Sequence, residues 1–325
     1  MIAVERAASR SAGTTALLAL VALFFVSIFV GVGDVAPRDV LTNPDTLYLV
    51  AASRLPRTLA AVLTGAGLAI AGLVMQTLAR NRFVEPTTAG TGQSAALGIL
   101  LVALLLPSAS IATKTLVASL TALAGTSLFL AIAHRLPPTQ PFLVPLFGLV
   151  YGGVVGAAVT FVAWHTDLLQ FIEIWTNGEF SGVLRGRYEL LWASAAVLAV
   201  TWAFADRLTL MSLGHDVSVG LGLDYARMMQ IGLLIISIVT ALTVVIVGMI
   251  PFVGLVVPNM VSRLIGDNMR SLIPWVAGSG AALVLACDII GRLLHFPYEI
   301  PVGTVLGIVG AASFLWLLLR RPSHA

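Results

Sequence analysis

Apolar runs of roughly membrane-spanning length, parted by short polar stretches, fill this chain from about residue 15 onward. They predict ten spans, at about 15–33, 58–79, 90–106, 115–133, 142–164, 190–205, 228–248, 250–265, 274–291 and 301–319. Several fall short of the roughly 20 residues that a perpendicular helix needs, the sixth and eighth most clearly. Short spans are tolerated only where protein or a water-filled path surrounds them. The eighth also carries Pro251 and Pro258, with Asn259 next, which predicts a half-buried helix packed inside the bundle. Small residues recur at helical spacing: Gly148, Gly152 and Gly156 in the fifth span, Gly303 and Gly307 in the tenth, and Gly65, Ala69 and Gly72 nearly so in the second. Such stripes let helix backbones approach closely. Packing within one bundle accounts for any single stripe; a subunit interface or a lined pathway is the other reading of each.

One polar interruption, residues 206–227, has internal punctuation. Ser212 or Gly214 can open a turn, and Gly222 sits where a helix needs a residue of positive φ just past its end. Asp224 is placed to cap the next helix, starting at Tyr225. The pattern predicts a short helix over residues 214–221, which contains His215, Asp216 and Leu221, then a sharp corner and a second helix returning to the membrane. Such organisation suits a loop on which another protein docks. A tidy helix-loop-helix with no partner fits the spacing equally well.

Composition sets the class. Of 325 residues, 58% are hydrophobic and 10% charged, and the mean hydropathy is +1.00. Soluble domains carry about a quarter charged residues, so this is an all-α polytopic membrane protein, read as one transmembrane domain over residues 1–325. A net charge of +3 without a basic run excludes a nucleic-acid partner. The single cysteine, Cys287, excludes an intramolecular disulfide and a cysteine metal cluster. Arg6 and Arg10 ahead of an apolar run imitate a signal peptide, but no small-residue cleavage site follows, so that run is read as the first span. Eleven of the 18 Lys and Arg fall on the N-terminal side of the membrane and seven on the other, which puts the N-terminus inside. Ten spans return the C-terminus to the same side, and residues 206–227 face the cytoplasm.

Several chemistries are missing. No span has an Asp, Glu, Lys or Arg near its middle; Asp288, one turn before Arg292, comes closest. Ion-coupled carriers usually keep ionisable groups or broken-helix ion sites at mid-depth, so such a carrier is the weaker alternative. His134, His165, His215, His295 and His324 are scattered, without metal-site spacing. No catalytic nucleophile motif occurs. Lys114 is the only lysine and follows Thr113, so a phosphate-binding loop is impossible and any ATPase is another chain.

Specific stretches carry a resemblance. Arg54-Leu-Pro-Arg57-Thr-Leu-Ala-Ala, Gly65-Ala-Gly-Leu-Ala-Ile-Ala-Gly72 and Gln76-Thr-Leu-Ala-Arg-Asn81 look like the second-span signature of bacterial ABC-importer permeases for iron-siderophores, haem and cobalamin. Pro251-Phe-Val-Gly-Leu-Val-Val-Pro258-Asn-Met-Val-Ser-Arg263 resembles their most characteristic motif, and Glu299-Ile-Pro301-Val-Gly303 the entry to their last span. The similarity runs from about residue 50 to the end, in order. Two departures, Asn81-Arg-Phe-Val-Glu85-Pro86 and Thr87-Thr-Ala-Gly-Thr91, together with Asn259, look like the branch for catechol-type siderophores.

The resemblance implies a type II ABC importer permease fold in the bacterial inner membrane. It implies a second permease, copy or homologue, two cytoplasmic ATP-binding subunits, an extracytoplasmic binding protein and a ferric siderophore as cargo, with haem or cobalamin as the alternative. The permease itself would need no cofactor, since ATP and Mg are used by the ATPase. Ser212, Gly214, His215, Asp216, Leu221, Gly222 and Asp224 would form the coupling loop, and Gly148, Gly152, Gly156, Gly303 and Gly307 would line the path. Arg54, Arg57 and Arg292 would meet acidic residues of the binding protein; interfacial snorkelling is the plainer reading of these three.

Overall fold

A computed structural model describes residues 2–31, 38–137, 140 and 142–319, without the side chains of residues 2–14, 41 and 318. The inner-side charges Arg320 and Arg321, and His324, lie outside the described residues, as do the Arg6 and Arg10 side chains.

The order of elements is α1 (Ile2–Phe29), α2 (Asp39–Thr42), α3 (Pro44–Leu49), a π-turn (Val50–Arg54), α4 (Leu55–Ala79), α5 (Thr91–Leu105), α6 (Ile111–Ala133), α7 (Leu143–His165) and α8 (Leu169–Thr176). A 3₁₀ turn (Tyr188–Leu191) then leads to α9 (Trp192–Ala203), α10 (Ala205–Ser212), α11 (His215–Gly220), α12 (Tyr225–Ile246), α13 (Val253–Ile265), α14 (Met269–Leu294) and α15 (Val302–Leu319). Each of the ten predicted spans contains one of these helices, and no strand occurs among the described residues. Five helical stretches are long and apolar enough to cross a membrane unaided: Pro44–Ala79, Ile111–Ala133, Leu143–His165, Tyr225–Ile246 and Met269–Leu294. The sixth predicted span is a broken one, Tyr188–Ala203 turning by 64° into Ala205–Ser212. Thr15–Phe29, Thr91–Leu105, Val253–Ile265 and Val302–Leu317 are the shorter apolar helices.

The second span begins earlier than its apolar run suggested. Asn43 caps α3 by accepting from the Asp45 amide (3.0 Å), Pro44 follows at the first helical position, and the helix continues through the π-turn into α4. Among the elements that periodicity missed, α8 packs two side chains, Ile172 and Trp175, inward.

The core sits around α4, which is buried along nearly all of its length. Its small residues let three helices touch through backbone. A Cβ on Gly65 would run into the Gly280 carbonyl of α14, and one on Gly72 into Gly254 of α13. Five buried hydroxyls, those of Thr58, Thr77, Ser94, Thr126 and Ser237, each donate to the carbonyl four residues back, whereas those of Thr64, Ser194, Thr240 and Thr243 are buried without a partner. The expectation for α13 holds, since residues 253–258 and Val261 are buried. Charges collect at two opposite ends. Arg82 pairs with Asp267 (2.7 Å) and Arg270 with Asp206 (2.7 Å) at one end; Arg57, Asp288, Arg292 and Glu299 meet at the other. That division matches the two sides into which the sequence sorted these segments.

Candidate functional site

At the first end, residues 206–227 fold as the sequence predicts, with one correction. Gly214 (φ 101°) opens α11, whereas the Ser212 hydroxyl donates back to Thr209 O (2.7 Å) and closes α10. The helix ends in a Schellman arrangement: Leu223 N donates to Ser218 O (2.9 Å) and Gly222 N to Val219 O (2.9 Å), with Gly222 at φ 84°. Asp224 then accepts from Arg227 N (3.0 Å) and starts α12. Ser218, which the sequence reading passed over, is fully buried and donates to Leu210 O (2.8 Å), tying α11 to α10. Leu213, Val217, Val219 and Leu221 are all exposed there, apolar side chains on an otherwise polar end. His215 bonds Asp216 (3.0 Å) and stands edge-on to Tyr225, over which Arg80 places its guanidinium (5.9 Å). Asp206 takes two bonds from Arg270, whose guanidinium holds its carboxyl below the ordinary aspartate range.

At the opposite end the three arginines converge, but inward, and the expected open basic patch needs correcting. Arg292 is 3% exposed. It donates to Ser27 O (2.8 Å), Val30 O (2.7 Å), Ser27 Oγ (2.7 Å) and Asp288 (2.7 Å), so it fastens α1 to α14. Snorkelling therefore does not describe it. Asp288 and Arg292, one turn apart on α14, form an ion pair that is buried on both sides. Asp288 also takes Arg57 (2.8 Å), and Arg57 grips both oxygens of Glu299 (3.0 and 2.8 Å). Arg54 is buried too, its guanidinium lying against Gly31. Taking these charges out of water is costly, and the physical reason Arg57, Asp288 and Arg292 stay inside is that each gains several charge-assisted bonds.

Between the two ends, the glycine stripes divide. Gly148 and Gly152 of α7 receive the Thr88 carbonyl and Gly90, and Gly156 lies beside Gln93. Gly303 packs near Gly178 and Met249 O, while Gly307 faces open space. Most of the stripe thus seats neighbouring backbone, and Gly303 also borders a cavity of about 400 Å³. Glu85 stands in that cavity's wall. The loop carrying it folds back into the bundle, so a carboxylate absent from every predicted span ends up 1% exposed. It accepts from Thr87 Oγ1 (2.6 Å) and Phe252 N (2.9 Å), and the Gly254 and Leu255 amides also interact with it. Those amides are the first of α13, so Glu85 serves as the cap that Phe252, in the left-handed region at φ 68°, cannot supply. Asn259 fixes the same loop, donating to Arg82 O (2.7 Å) and Leu255 O (2.7 Å). The acid-Pro pair Glu85-Pro86 was the available signal for this role; spacing alone gave none.

This geometry has relatives. The chain is 45% identical over 310 residues to the petrobactin import system permease YclN of Bacillus subtilis, covering 94% of this chain and 97% of that one. It is 39% identical over 305 residues to the ferric-anguibactin transport permease FatD of Vibrio anguillarum, covering 94% and 97%. A solved transporter assigned to the metal-chelate ABC type, in an inward-facing conformation, superposes with a TM-score of 0.80 at 25% identity, over 94% of this chain and 97% of that one. A match to the family model extends over residues 19–320, from the first span to the last, and with it the helical bundle, its glycine contacts and its capped loop find their place: the chain belongs to the FecCD transport family.

Proposed function

We propose that this chain is the membrane permease subunit of an ATP-driven importer, and that its cargo is a ferric siderophore. The observation that carries the reading is α11, closed at both ends by glycines of positive φ, tied to α10 by Ser218 and presenting exposed Val217, Val219 and Leu221. A rigid helix with apolar side chains exposed on either side, at a charged end, suits a groove on a cytoplasmic ATP-binding subunit. The likeness to permeases named for petrobactin and anguibactin supports the cargo class. ATP would draw two such subunits together, and α11 would pass the movement through α10 and α12 to the spans, shifting a two-state opening. Both termini then lie in the cytoplasm. The open sides of α7 and α15, where Leu146, Val150, Val154 and Ile308 are exposed, suit a second permease, copy or homologue, across a central path.

On the outer side, Arg54, Arg57 and Arg292 meet a binding protein only if the network around them opens. Carboxylates of the partner would have to replace Asp288 or Glu299 on Arg57.

The test is uptake of ferric petrobactin into proteoliposomes that contain the chain, its ATPase and its binding protein. Inactivating the ATPase should reduce uptake at least tenfold. Uptake that persists would return the ion-coupled carrier to first place, and uptake of cobalamin in preference to the ferric chelate would reassign the cargo.

A further inference from the structure

The cavity beside Glu85 differs from the bundle around it. Six segments meet there: the loop after α4, the first turn of α5, α7 at Leu149, the end of α8 with the turn after it, the segment leading into α13, and the start of α15. From three of them come Gln93, Asn177 and Thr304, neutral polar side chains on otherwise apolar elements. Gln93 Oε1 is buried and has no hydrogen-bond partner, although buried polar groups are nearly always paired. Asn177 and Thr304 are exposed.

We propose that this chamber is a contact station for the cargo, taking a hydroxyl- or amide-bearing arm of the ferric chelate as it passes. The inference rests on the transport reading above and adds which residues touch the substrate. Its physical basis is the charge balance of the wall. Glu85 is the carboxylate there, and it is already engaged by Thr87 Oγ1 (2.6 Å) and by the Phe252 amide at the start of α13 (2.9 Å). A free carboxylate would repel an anionic chelate, and a free cation would hold it. Neutral amides and hydroxyls do neither, so they orient an arm and release it. The volume, about 400 Å³, suits one arm better than a whole chelate. Phe252 forms part of the lining and is held in the left-handed region while its N–H is bound to Glu85. Strain of that kind persists where the surroundings over-determine it, commonly at working sites.

The experiment measures iron delivered per ATP hydrolysed, in proteoliposomes of the complete importer with ferric petrobactin as the probe. Gln93→Leu and Thr304→Val should each lower that ratio by about fivefold, the factor one neutral hydrogen bond is worth. Thr304→Ser, which keeps the hydroxyl, should restore it. A variant that merely loosens the fold loses transport and hydrolysis together, and an unchanged ratio in both variants overturns the proposal. Wild-type importer that carries no ferric siderophore sinks the transport reading and this inference with it. Wild type that carries it, beside variants with an unaltered ratio, sinks the inference alone.

Discussion

Asp288 holds two guanidinium groups on one carboxylate, and its cost of removal differs sharply from that of its neighbour Glu299. Asp288 accepts from Arg57 on both oxygens (2.8 and 3.4 Å) and from Arg292 on Oδ2 (2.7 Å), with the Asp288–Arg292 pair 2% exposed on both sides. Replacing it with Ala leaves buried charge uncompensated, a loss of about 3–5 kcal/mol. Glu299 is 24% exposed and shares Arg57 with Asp288, so Glu299→Gln should cost about 1 kcal/mol or less. Thermal unfolding of the two variants in detergent checks the order: Asp288→Ala should unfold well below wild type and Glu299→Gln close to it. Equal shifts would mean that the network carries no buried electrostatic strain. At this scale the sequence was only partly legible. Arg57, Asp288 and Arg292 were visible as residues of interest, and their spacing gave Asp288–Arg292 as an i, i+4 pair. Their burial was hidden, because it depends on α1 closing over them with Ser27 and Val30, some 260 residues away in the chain.

Among elements, α11 was legible down to its caps, whereas α13 was legible as a buried helix but not in how it is capped. Local rules decide α11: positive φ at Gly214 and Gly222 and a cap at Asp224 are each readable within a few residues. Gly222→Val places a β-branched residue where an ordinary L residue already costs about 1–2 kcal/mol. Stimulated ATP hydrolysis by the reconstituted complex should fall several-fold, while the bundle still elutes as a folded species. Gly222→Asn, tolerated at such positions, should keep most of the stimulation. Full stimulation in the Val variant would detach α11 from coupling. By contrast, α13 draws its N-terminal cap from Glu85, whose carboxylate reaches Phe252 from 167 residues away. No local pattern announces a cap of that kind. The same applies to the second span, where apolarity located α4 but not the α3 and π-turn extension, since Arg54, Pro56 and Arg57 interrupt the hydropathy without interrupting the helix.

In the whole molecule, the order of the apolar helices was legible because each coincides with an apolar run, while the route of the charges was not. The outer network masks Arg57, and that has a consequence for assembly. Glu299→Gln frees one side of its guanidinium, so a binding protein with acidic lobes should associate about twofold faster at low salt, an effect on encounter that fades as salt rises. Binding-protein association with the permease in nanodiscs, at two ionic strengths, reads this directly. An unaltered rate at both would leave Arg57 as an internal brace only. The glycine contacts limit how such an assembly can move. Gly65 meets Gly280 and Gly72 meets Gly254 with no side chain between them. Surfaces in backbone contact have no rotamers to rearrange, and sliding by one residue, about 1.5 Å, brings a Cβ against a carbonyl. Helices α4, α13 and α14 therefore lack a soft internal coordinate and can only tilt together, as a single lever. Whatever opens and shuts this permease must pivot at the rim of that lever, where α15 packs on α13 and α14 and its Gly307 borders empty space.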